Sequence, residues 1–323
     1  MQDNFGREIN YLRLSVTDRC NFRCQYCMPE EGIEKVSHED ILSYEEILKL
    51  IKAAANLGID KVRLTGGEPL TRKGIPDLVE MISEVKGIED LSMTTNGARL
   101  GEFAEDLAES GLDRVNISLD SVDPELFTKI TRGGELNSVL SGIEAAENAG
   151  LNPVKLNTVI MKGLNDSEVN SLVEYAVSQD VVLRFIELMP MGEAADMAVD
   201  PTPLDEVRQE VEREWELKKV SGPRGNGPAE YYRVKRGSEA GRIGFIFPIS
   251  HNFCDNCNRI RVTSRGNVRP CLARDEQYEL NVEKGTTVAS LQDQLREVIT
   301  KKPHGHRWEE EQATAGEMSE IGG

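Results

Sequence analysis

The chain has 323 residues, enough for one large domain or for one domain and a smaller second one. It carries 38 basic and 56 acidic residues, and its formal net charge of −18 argues against a nucleic-acid partner, because nucleic acids bind to basic surfaces. No apolar run approaches the ~20 residues of a membrane helix, and the N-terminus lacks the apolar core of a secretory signal. We therefore expect a cytoplasmic protein with reduced thiols and no membrane partner.

Short apolar segments alternate with amphipathic segments from residue 9 to about residue 190. The predicted strands are Tyr11–Thr17, Lys61–Thr65, Asp90–Thr95, Arg114–Leu119, Val154–Met161 and Val181–Met189. Between the first two, Ser43 and Glu46 have the spacing of a capping box that opens a helix. Repeated strand–helix alternation predicts a parallel sheet with right-handed crossovers. Six units fall short of the eight of a closed barrel, so residues 1–190 are predicted to form an incomplete (βα)6 parallel TIM-type barrel of the α/β class.

Five of these predicted strands carry polar side chains on one face. The polar positions on or directly after these strands are Arg13, Ser15, Thr17, Arg63, Thr65, Ser92, Thr94, Asn96, Asn116, Ser118, Asp120, Lys155 and Asn157. An open antiparallel sheet with one solvated face has the same pattern, but the intervening helices disfavour it. We therefore expect a barrel whose interior is the binding site, with the chemistry at the loops that follow the strands.

The second part of the chain, residues 191–323, has a different pattern. Strand-like runs at Trp215–Val220, Glu230–Lys235, Arg242–Pro248 and Arg259–Thr263 are separated by turns rich in glycine and proline, without long helices between them. This pattern predicts a smaller C-terminal α+β domain. Its last helix is predicted at Val288–Thr300, and a polar tail follows.

The first cysteine set, Cys20, Cys24 and Cys27, follows the first predicted strand. Three thiolates on one tight loop can bind three irons of an iron–sulfur cube and leave the fourth iron open to a small molecule. A closed zinc site would need a fourth ligand, and the nearest histidine, His38, lies eleven residues past Cys27. The spacing therefore favours an iron–sulfur cluster over zinc.

The first cysteine set, with Tyr26 before its last member, resembles the signature of the radical S-adenosylmethionine (SAM) superfamily. The Gly66-Gly67-Glu68-Pro69 segment after the second strand resembles the superfamily motif that contacts the methionine amino group of SAM. The resemblance implies that SAM binds to the open iron. It also implies that reduction of the cluster cleaves SAM to methionine and a 5′-deoxyadenosyl radical.

The second cysteine set is Cys254, Cys257 and Cys271. A zinc ribbon with His251 as fourth ligand is one interpretation, and a second iron–sulfur cluster with its own open iron is the favoured one. Arg259 and Arg261 lie on one face of the adjacent strand, because side chains alternate along a strand. A salt-bridged surface pair would show the same spacing, but beside an open cluster these guanidiniums suit phosphate oxygens.

Taken together, both cysteine sets, the Cys257–Arg261 run and the terminal Gly322-Gly323 closely resemble the GTP 3′,8-cyclase family, which performs the first step of molybdenum cofactor biosynthesis. The resemblance implies two [4Fe-4S] clusters and SAM as cofactors. It implies conversion of GTP to (8S)-3′,8-cyclo-7,8-dihydroguanosine 5′-triphosphate, with removal of the ribose 3′ hydrogen and attack of C3′ on guanine C8. A flavodoxin or ferredoxin as electron donor, cyclic pyranopterin monophosphate synthase as downstream partner and a homodimer as a possible assembly belong to the same expectation.

The resemblance also assigns residues to roles. The positions matched to SAM contacts are Tyr26, Gly67, Ser118 and Met189. The positions matched to GTP contacts are Arg13, Arg63, Thr94, Lys155, Arg259 and Arg261. The cluster ligands are the six cysteines, and the predicted catalytic residues are Arg259, Arg261, Gly322 and Gly323, with the tail entering the catalytic pocket. Simple disorder is the other interpretation of a terminal glycine pair.

Two other functional classes share some of these features. A radical SAM peptide maturase with an auxiliary cluster usually carries more cysteines and a peptide-recognition domain. A metal-binding carrier with Gly322-Gly323 as an adenylated tail does not explain the first cysteine set.

Overall fold

The computed structural model describes residues 1–33, 37–197, 202–225, 227–282, 285–308, 314 and 318–321, except the side chains of His38 and Ser319. Within these residues a single sheet contains twelve strands, in the order β12-β11-β10-β1-β2-β3-β4-β5-β6-β9-β8-β7. The strands are β1 (Tyr11–Ser15), β2 (Lys61–Thr65), β3 (Asp90–Thr95), β4 (Arg114–Ser118), β5 (Lys155–Ile160), β6 (Val182–Glu187), β7 (Glu216–Val220), β8 (Glu230–Arg236), β9 (Glu239–Ile246), β10 (Arg259–Val262), β11 (Asn267–Arg269) and β12 (Tyr278–Glu279).

Helices alternate with strands β1 to β6, as the sequence predicted, and further helices lie in the C-terminal segment. They are α1 (Tyr44–Asn56), α2 (Ile75–Ser83), α3 (Leu100–Glu109), α4 (Pro124–Thr131), α5 (Leu136–Asn148), α6 (Val169–Ser178), α7 (Glu193–Asp196), α8 (Leu204–Glu214), α9 (Val288–Thr300) and α10 (Met318–Ile321). The predicted capping box at Ser43 and Glu46 is confirmed. Among the described residues, no helix has both the length and the apolar character needed to cross a membrane.

Strands β1 to β6 run parallel to one another in chain order, which confirms the incomplete parallel barrel. The strands of the C-terminal segment join the same sheet rather than forming one of their own. Strand β9 pairs in parallel with β6, and β10 pairs in parallel with β1. Two antiparallel strands extend each edge, β8 and β7 at one side and β11 and β12 at the other. The sheet therefore ends in two edges, and the proposed domain boundary at residue 190 stays a prediction.

The outer face of the barrel sheet packs against the helices. Leu12, Leu14, Val62 and Leu64 are fully buried there, together with apolar residues of the helices such as Leu50 of α1. Burying one such side chain contributes about 1.5–3 kcal/mol, and truncating one to alanine costs about 2–5 kcal/mol. Because side chains alternate along a strand, this packing directs the polar side chains of β1 and β2 toward the inside of the barrel.

Candidate active site

The first cysteine loop lies at the carboxyl end of β1 and is supported by α4, a helix that the sequence analysis did not predict. The backbone N–H groups of Arg23 and Gln25 donate to the carbonyl oxygens of Thr131 and Ile130, both at 3.0 Å. Arg132, which ends α4 in the left-handed conformation, donates from Nη1 to the Met28 carbonyl at 2.9 Å. The loop is therefore held by backbone contacts on both sides of Cys24 and Cys27.

Gly66 and Gly67 bring the loop after β2 against the cysteine loop. The backbone N–H of Gly67 donates to the Thr17 carbonyl at 2.8 Å. A Cβ atom on Gly66 would lie 2.2 Å from the carbonyl oxygen of Thr17, and one on Gly67 would lie 2.4 Å from that of Arg19. Only glycine fits at either position, so the glycine pair is needed for the two loops to meet.

Glu68 of the same loop joins three strand ends. Its buried carboxylate accepts hydrogen bonds from the Leu70 N–H at 3.0 Å, the Thr95 hydroxyl at 2.7 Å and the Asn96 N–H at 2.6 Å. Asn96 Nδ2 in turn lies 3.8 Å from the sulfur of Cys20. This network ties the end of β3 to the cysteine loop.

Tyr26, predicted as a SAM contact, donates its hydroxyl to Asp120 Oδ2 at 2.8 Å. The other carboxylate oxygen of Asp120 accepts the Val159 N–H at 2.8 Å. Burial raises the pKa of Asp120 to about 6, although both hydrogen bonds favour the charged form. Ser118, half-buried at the end of β4, lies two residues before Asp120.

Two thiols of the first set, those of Cys20 and Cys24, are poor acids in the protein alone. Burial, followed by the nearby Glu68 carboxylate, raises the pKa of Cys20 to about 11. Burial and the neighbouring Cys27 raise the pKa of Cys24 well above its usual value. Iron–sulfur clusters bind thiolates, so these thiols must lose their protons when a cluster binds. The positive charge of the cluster iron then takes the place of the protons.

No three His, Cys, Asp or Glu side chains in the described part of the chain converge to hold a single metal ion. An iron–sulfur cube needs no such convergence, because each thiolate binds a different iron. The backbone N–H of Cys27 donates to the Cys24 carbonyl at 2.9 Å, and Cys20 lies four residues before Cys24 on the same tight loop. The donor set therefore fits a cube.

The second cysteine set lines a cavity of about 550 Å³, which we call the cysteine cavity. Cys254, Cys257 and Cys271 all face it, and Trp308 closes one side. Burial opposes ionisation of Cys257, but the Arg259 guanidinium and the Lys302 ammonium outweigh it and hold the pKa of this thiol at about 6. Three thiols around one cavity fit a second cluster in the same way as the first set.

Lys302 supports the cysteine cavity and was missed by the sequence analysis. Its side chain is 3% exposed, and Nζ donates to the carbonyls of Arg259 at 2.8 Å and Pro270 at 2.5 Å. Lys302 thus links the strand after Cys257 to the residue before Cys271. No local pattern singles it out, because it lies in a polar segment of ordinary composition.

His251, the fourth ligand of the zinc alternative, is not among the residues that line the cysteine cavity. Its imidazole is half exposed, and Nε2 lies 3.6 Å from Asp205 Oδ2.

A second pocket, of about 910 Å³, lies inside the barrel, and its cationic lining is here called the cation wall. Five of the predicted GTP contacts line it, namely Arg13, Arg63, Lys155, Arg259 and Arg261. Sheet register places Arg13 between Arg63 on β2 and Arg261 on β10. Thr94 does not line this pocket; it pairs in register with Asn116 of β4, and its hydroxyl is buried.

The cation wall contains three further cations that the sequence analysis missed: Lys61, Arg114 and Arg184. Lys61 and Arg114 occupy the first positions of β2 and β4, on the same face as Arg63 and Asn116. Extending the alternation to the first residue of each strand, and to β6, would have identified all three.

Crowding and burial make the cation wall electrostatically unfavourable without a counter-charge. Burial lowers the pKa of Arg63 to about 10, and burial with the nearby Arg184, Arg114 and Arg63 lowers that of Lys155 to about 6. Burial and Arg261 lower the pKa of Arg13 well below its usual value. A polyanionic ligand would relieve this repulsion, so the pocket suits a molecule such as a polyphosphate.

The two pockets adjoin each other. Both are lined by Met189, Arg259 and Arg261, and Phe253 also contributes to both, with the Arg259 guanidinium 4.8 Å from the centre of its ring. Arg259 and Arg261 therefore face both the cation wall and the cysteine cavity.

The predicted catalytic glycines, Gly322 and Gly323, lie outside the described residues. Ile321 before them is 1% exposed and therefore anchors the end of α10. Glu320 shares a small cleft with Asp18, which precedes the first cysteine loop, and with Thr263, which follows β10. The described end of the chain thus lies beside the carboxyl edge of the sheet.

Comparison with known proteins places this architecture in a family. Residues 14–176 match the radical SAM superfamily, and residues 181–308 match the molybdenum cofactor synthesis C family. The chain is 45% identical over 327 residues to a GTP 3′,8-cyclase of Pelotomaculum thermopropionicum and 44% identical over 326 residues to one of Alkaliphilus oremlandii, with 100% of both chains covered each time. SuiB of Streptococcus suis, solved with bound S-adenosylmethionine, has a similar fold at 15% identity, with a TM-score of 0.63 and coverage of 95% of this chain and 75% of SuiB.

The chain therefore belongs to the radical SAM superfamily, whose members use SAM and an iron–sulfur cluster. Within that superfamily it belongs to the GTP 3′,8-cyclase family of enzymes. This membership confirms the resemblance to the GTP 3′,8-cyclase family that the two cysteine sets indicated.

Proposed function

We propose that the chain converts GTP to (8S)-3′,8-cyclo-7,8-dihydroguanosine 5′-triphosphate, the first step of molybdenum cofactor biosynthesis. The observation that carries this proposal is the position of the cation wall beside the cysteine cavity, with Met189, Arg259 and Arg261 lining both. A nucleoside triphosphate has the matching shape, with phosphates at one end and a base at the other. The names of the relatives support GTP as that nucleotide.

The cations of the wall would bind and orient the triphosphate. Arg13, Arg63 and Lys155 are buried, so their hydrogen bonds to phosphate oxygens would be charge-assisted and little screened by solvent. Fixing the triphosphate fixes the ribose, which is the proximity effect that a reaction at C3′ requires. No general base is needed at C3′, because the proposed step removes a hydrogen atom rather than a proton.

The first cysteine set would hold the cluster that binds SAM, with Tyr26, Gly67, Ser118 and Met189 around it. When bound, this cluster supplies the electron for cleavage of SAM and hence the 5′-deoxyadenosyl radical that takes the ribose 3′ hydrogen. The protein's own contribution is structural. The hydrogen bond between Tyr26 and Asp120 fixes the aromatic side chain beside Cys27, and Glu68 fixes the neighbouring loop.

We propose that the second cysteine set holds a second [4Fe-4S] cluster, whose open iron binds the guanine. Arg259 and Arg261 lie between this cavity and the cation wall, where they would meet the phosphates and hold C8 near C3′. Iron analysis of anaerobically reconstituted protein separates the alternatives. Two cubes give about eight irons per chain, whereas about four irons and one zinc would support the ribbon.

The terminal glycines and the partners complete the proposal. Gly322 and Gly323 would enter the catalytic pocket from the anchor at Ile321, because residues without side chains can pass through a narrow opening. A flavodoxin or ferredoxin would reduce the cluster in the cytoplasm, and cyclic pyranopterin monophosphate synthase would consume the product. A homodimer is a possible assembly.

Two single substitutions test the division of labour between the cysteine sets. Cys24→Ala is expected to abolish SAM cleavage, because it removes a ligand of the SAM-binding cluster. Cys257→Ala is expected mainly to impair GTP binding and cyclisation. The measurement is 5′-deoxyadenosine formation and GTP affinity for each reconstituted variant. Equal loss of SAM cleavage in the two variants would contradict the proposed roles.

A further inference from the structure

The N-terminal segment folds into a closed turn around the guanidinium of Arg7. Asp3 accepts the backbone N–H of Arg7 at 3.0 Å through Oδ1, and its Oδ2 forms an ion pair with Arg7 Nε at 2.7 Å. The two side chains are 0% and 5% exposed, respectively. Gly6 has a φ of 77°, a left-handed conformation that glycine adopts without strain. The turn therefore presents a fixed, charge-balanced guanidinium whose remaining N–H groups point away from Asp3.

Those N–H groups bind two segments that are distant in sequence. Arg7 Nη1 donates to the carbonyl of Cys254 at 2.8 Å and to that of His304 at 2.6 Å, and Nη2 donates to the carbonyl of Pro303 at 2.7 Å. The first segment carries a cysteine of the second set. The second segment follows Lys302, which holds the backbone beside the other two cysteines.

The same two segments enclose the sulfur of Cys254. A Cβ atom on Gly305 would lie 3.3 Å from Cys254 Sγ, so the 303–305 backbone packs directly against this thiol. Arg7 holds the carbonyl of Cys254 on one side and the backbone before Gly305 on the other. The Arg7 guanidinium thus fixes both the backbone from which the Cys254 side chain extends and the backbone segment against which that side chain packs.

We infer that Arg7 is a positioning residue for the second cluster, which it serves by fixing the direction of the Cys254 thiolate. This inference rests on the proposed second cluster. Arg7 lines neither the cysteine cavity nor the cation wall, and it acts through the backbone of the loop that carries Cys254. Groups that orient metal ligands typically change metal affinity by about 10- to 100-fold when removed. The planar guanidinium of Arg7 serves four acceptors at fixed angles, namely one carboxylate and three backbone carbonyls, which a lysine ammonium cannot reproduce fully.

The test uses a parent chain in which Cys20, Cys24 and Cys27 are all replaced by alanine, so that only the second cysteine set holds iron. Arg7→Ala, Arg7→Lys and the control Arg296→Ala are made in this parent, reconstituted anaerobically, and followed for iron loss to a chelator. Arg296 pairs with Asp293 on the exposed face of α9 and has no contact with the cysteine cavity. We expect iron loss about tenfold faster or more for Arg7→Ala, an intermediate rate for Arg7→Lys and no change for Arg296→Ala.

A complementary parent, with Cys254, Cys257 and Cys271 replaced by alanine, reports on the fold. There, the Arg7 variants are expected to lose iron from the first set at the parental rate. Unchanged iron loss from the second set, or equal acceleration at both sets, would overturn the inference while leaving the proposed function intact. A first parent that takes up no iron at all would contradict the second cluster of the proposed function, and the inference with it.

Discussion

Arg114 donates from one nitrogen, Nη2, to both carboxylate oxygens of Asp90, at 2.6 Å each. Both residues are almost fully buried at the starts of β4 and β3. The Nε and Nη1 atoms of Arg114 are buried and have no hydrogen-bond partner within the described residues. Asp90 therefore fixes a guanidinium in the cation wall while leaving two of its nitrogens for a ligand.

Arg114→Gln is expected to weaken GTP binding by about 1.5–3 kcal/mol, or about ten- to a hundred-fold, because it removes a charge-assisted hydrogen bond to a phosphate. Guanosine, which has no phosphate, should bind nearly as well as before. Calorimetric titration with the two ligands checks this, with Arg296→Gln as an exposed control. An equal loss of affinity for guanosine would mean that Arg114 stabilises the fold rather than binding a phosphate.

Lys155 should take up a proton when GTP binds. In the free protein, burial and the nearby Arg184 lower its pKa to about 6, so near pH 8 the amine is neutral. A bound triphosphate favours the ammonium and raises this pKa, so binding near pH 8 should draw about one proton per GTP from the buffer. Below about pH 5 the Lys155 amine is already protonated in the free protein, so GTP binding should no longer cause proton uptake.

The measurement for Lys155 is calorimetric titration in buffers that differ in ionisation enthalpy, with Lys155→Met as the control. The observed enthalpy should depend on the buffer near pH 8 for the parent protein and much less for the variant. Binding enthalpies that are the same in all buffers would show that Lys155 is already charged.

Gly67→Ala should destroy the first cluster site and spare the second. The added Cβ would lie 2.4 Å from the Arg19 carbonyl oxygen, which belongs to the backbone of the cysteine loop and cannot move independently of it. Iron content should fall from about eight to about four per chain. Gly101→Ala is the matched control, because a Cβ there would have no neighbour within 4 Å. Full iron content in Gly67→Ala would contradict the close approach of the two loops.

Deletion of Gly322 and Gly323 should leave the clusters and GTP affinity largely unchanged but strongly lower cyclisation. The tail would act by holding cations and reacting atoms in position, which affects the reaction more than binding. The checks are iron content, GTP affinity and product formation on the same preparation. Full turnover by the shortened chain would contradict this role and favour simple disorder as the interpretation of the glycine pair.

Local periodicity was enough to predict much of the site. The two-residue alternation identified Arg13, Arg63 and Lys155 as inward-facing, because each belongs to a strand whose other face is apolar. The strand–helix order placed the first cysteine set at the carboxyl end of β1. These features depend on neighbours within a few residues, which is the range over which a sequence pattern is informative.

Other features depend on contacts between distant parts of the chain. The parallel pairing of β10 with β1 joins residues about 250 positions apart, and the contacts of Arg7 with Cys254 and His304 span 247 and 297 positions. No local pattern encodes such partners. Helix α4 is a different case, because it does carry a local signal that the sequence analysis overlooked. Asp123 and Pro124 are ordinary helix-start residues, and Asp123 caps the helix.

Removal of the ribose 3′ hydrogen of GTP held on the cation wall, by a radical formed at the first cluster, is the step on which the proposed function rests. It is tested most directly with GTP deuterated at C3′ and anaerobically reconstituted, reduced protein with SAM. Deuterium is expected in the 5′-deoxyadenosine product, which should form in step with a cyclised nucleotide and only when GTP is present. Deoxyadenosine without deuterium, or formed at the same rate without GTP, would contradict it.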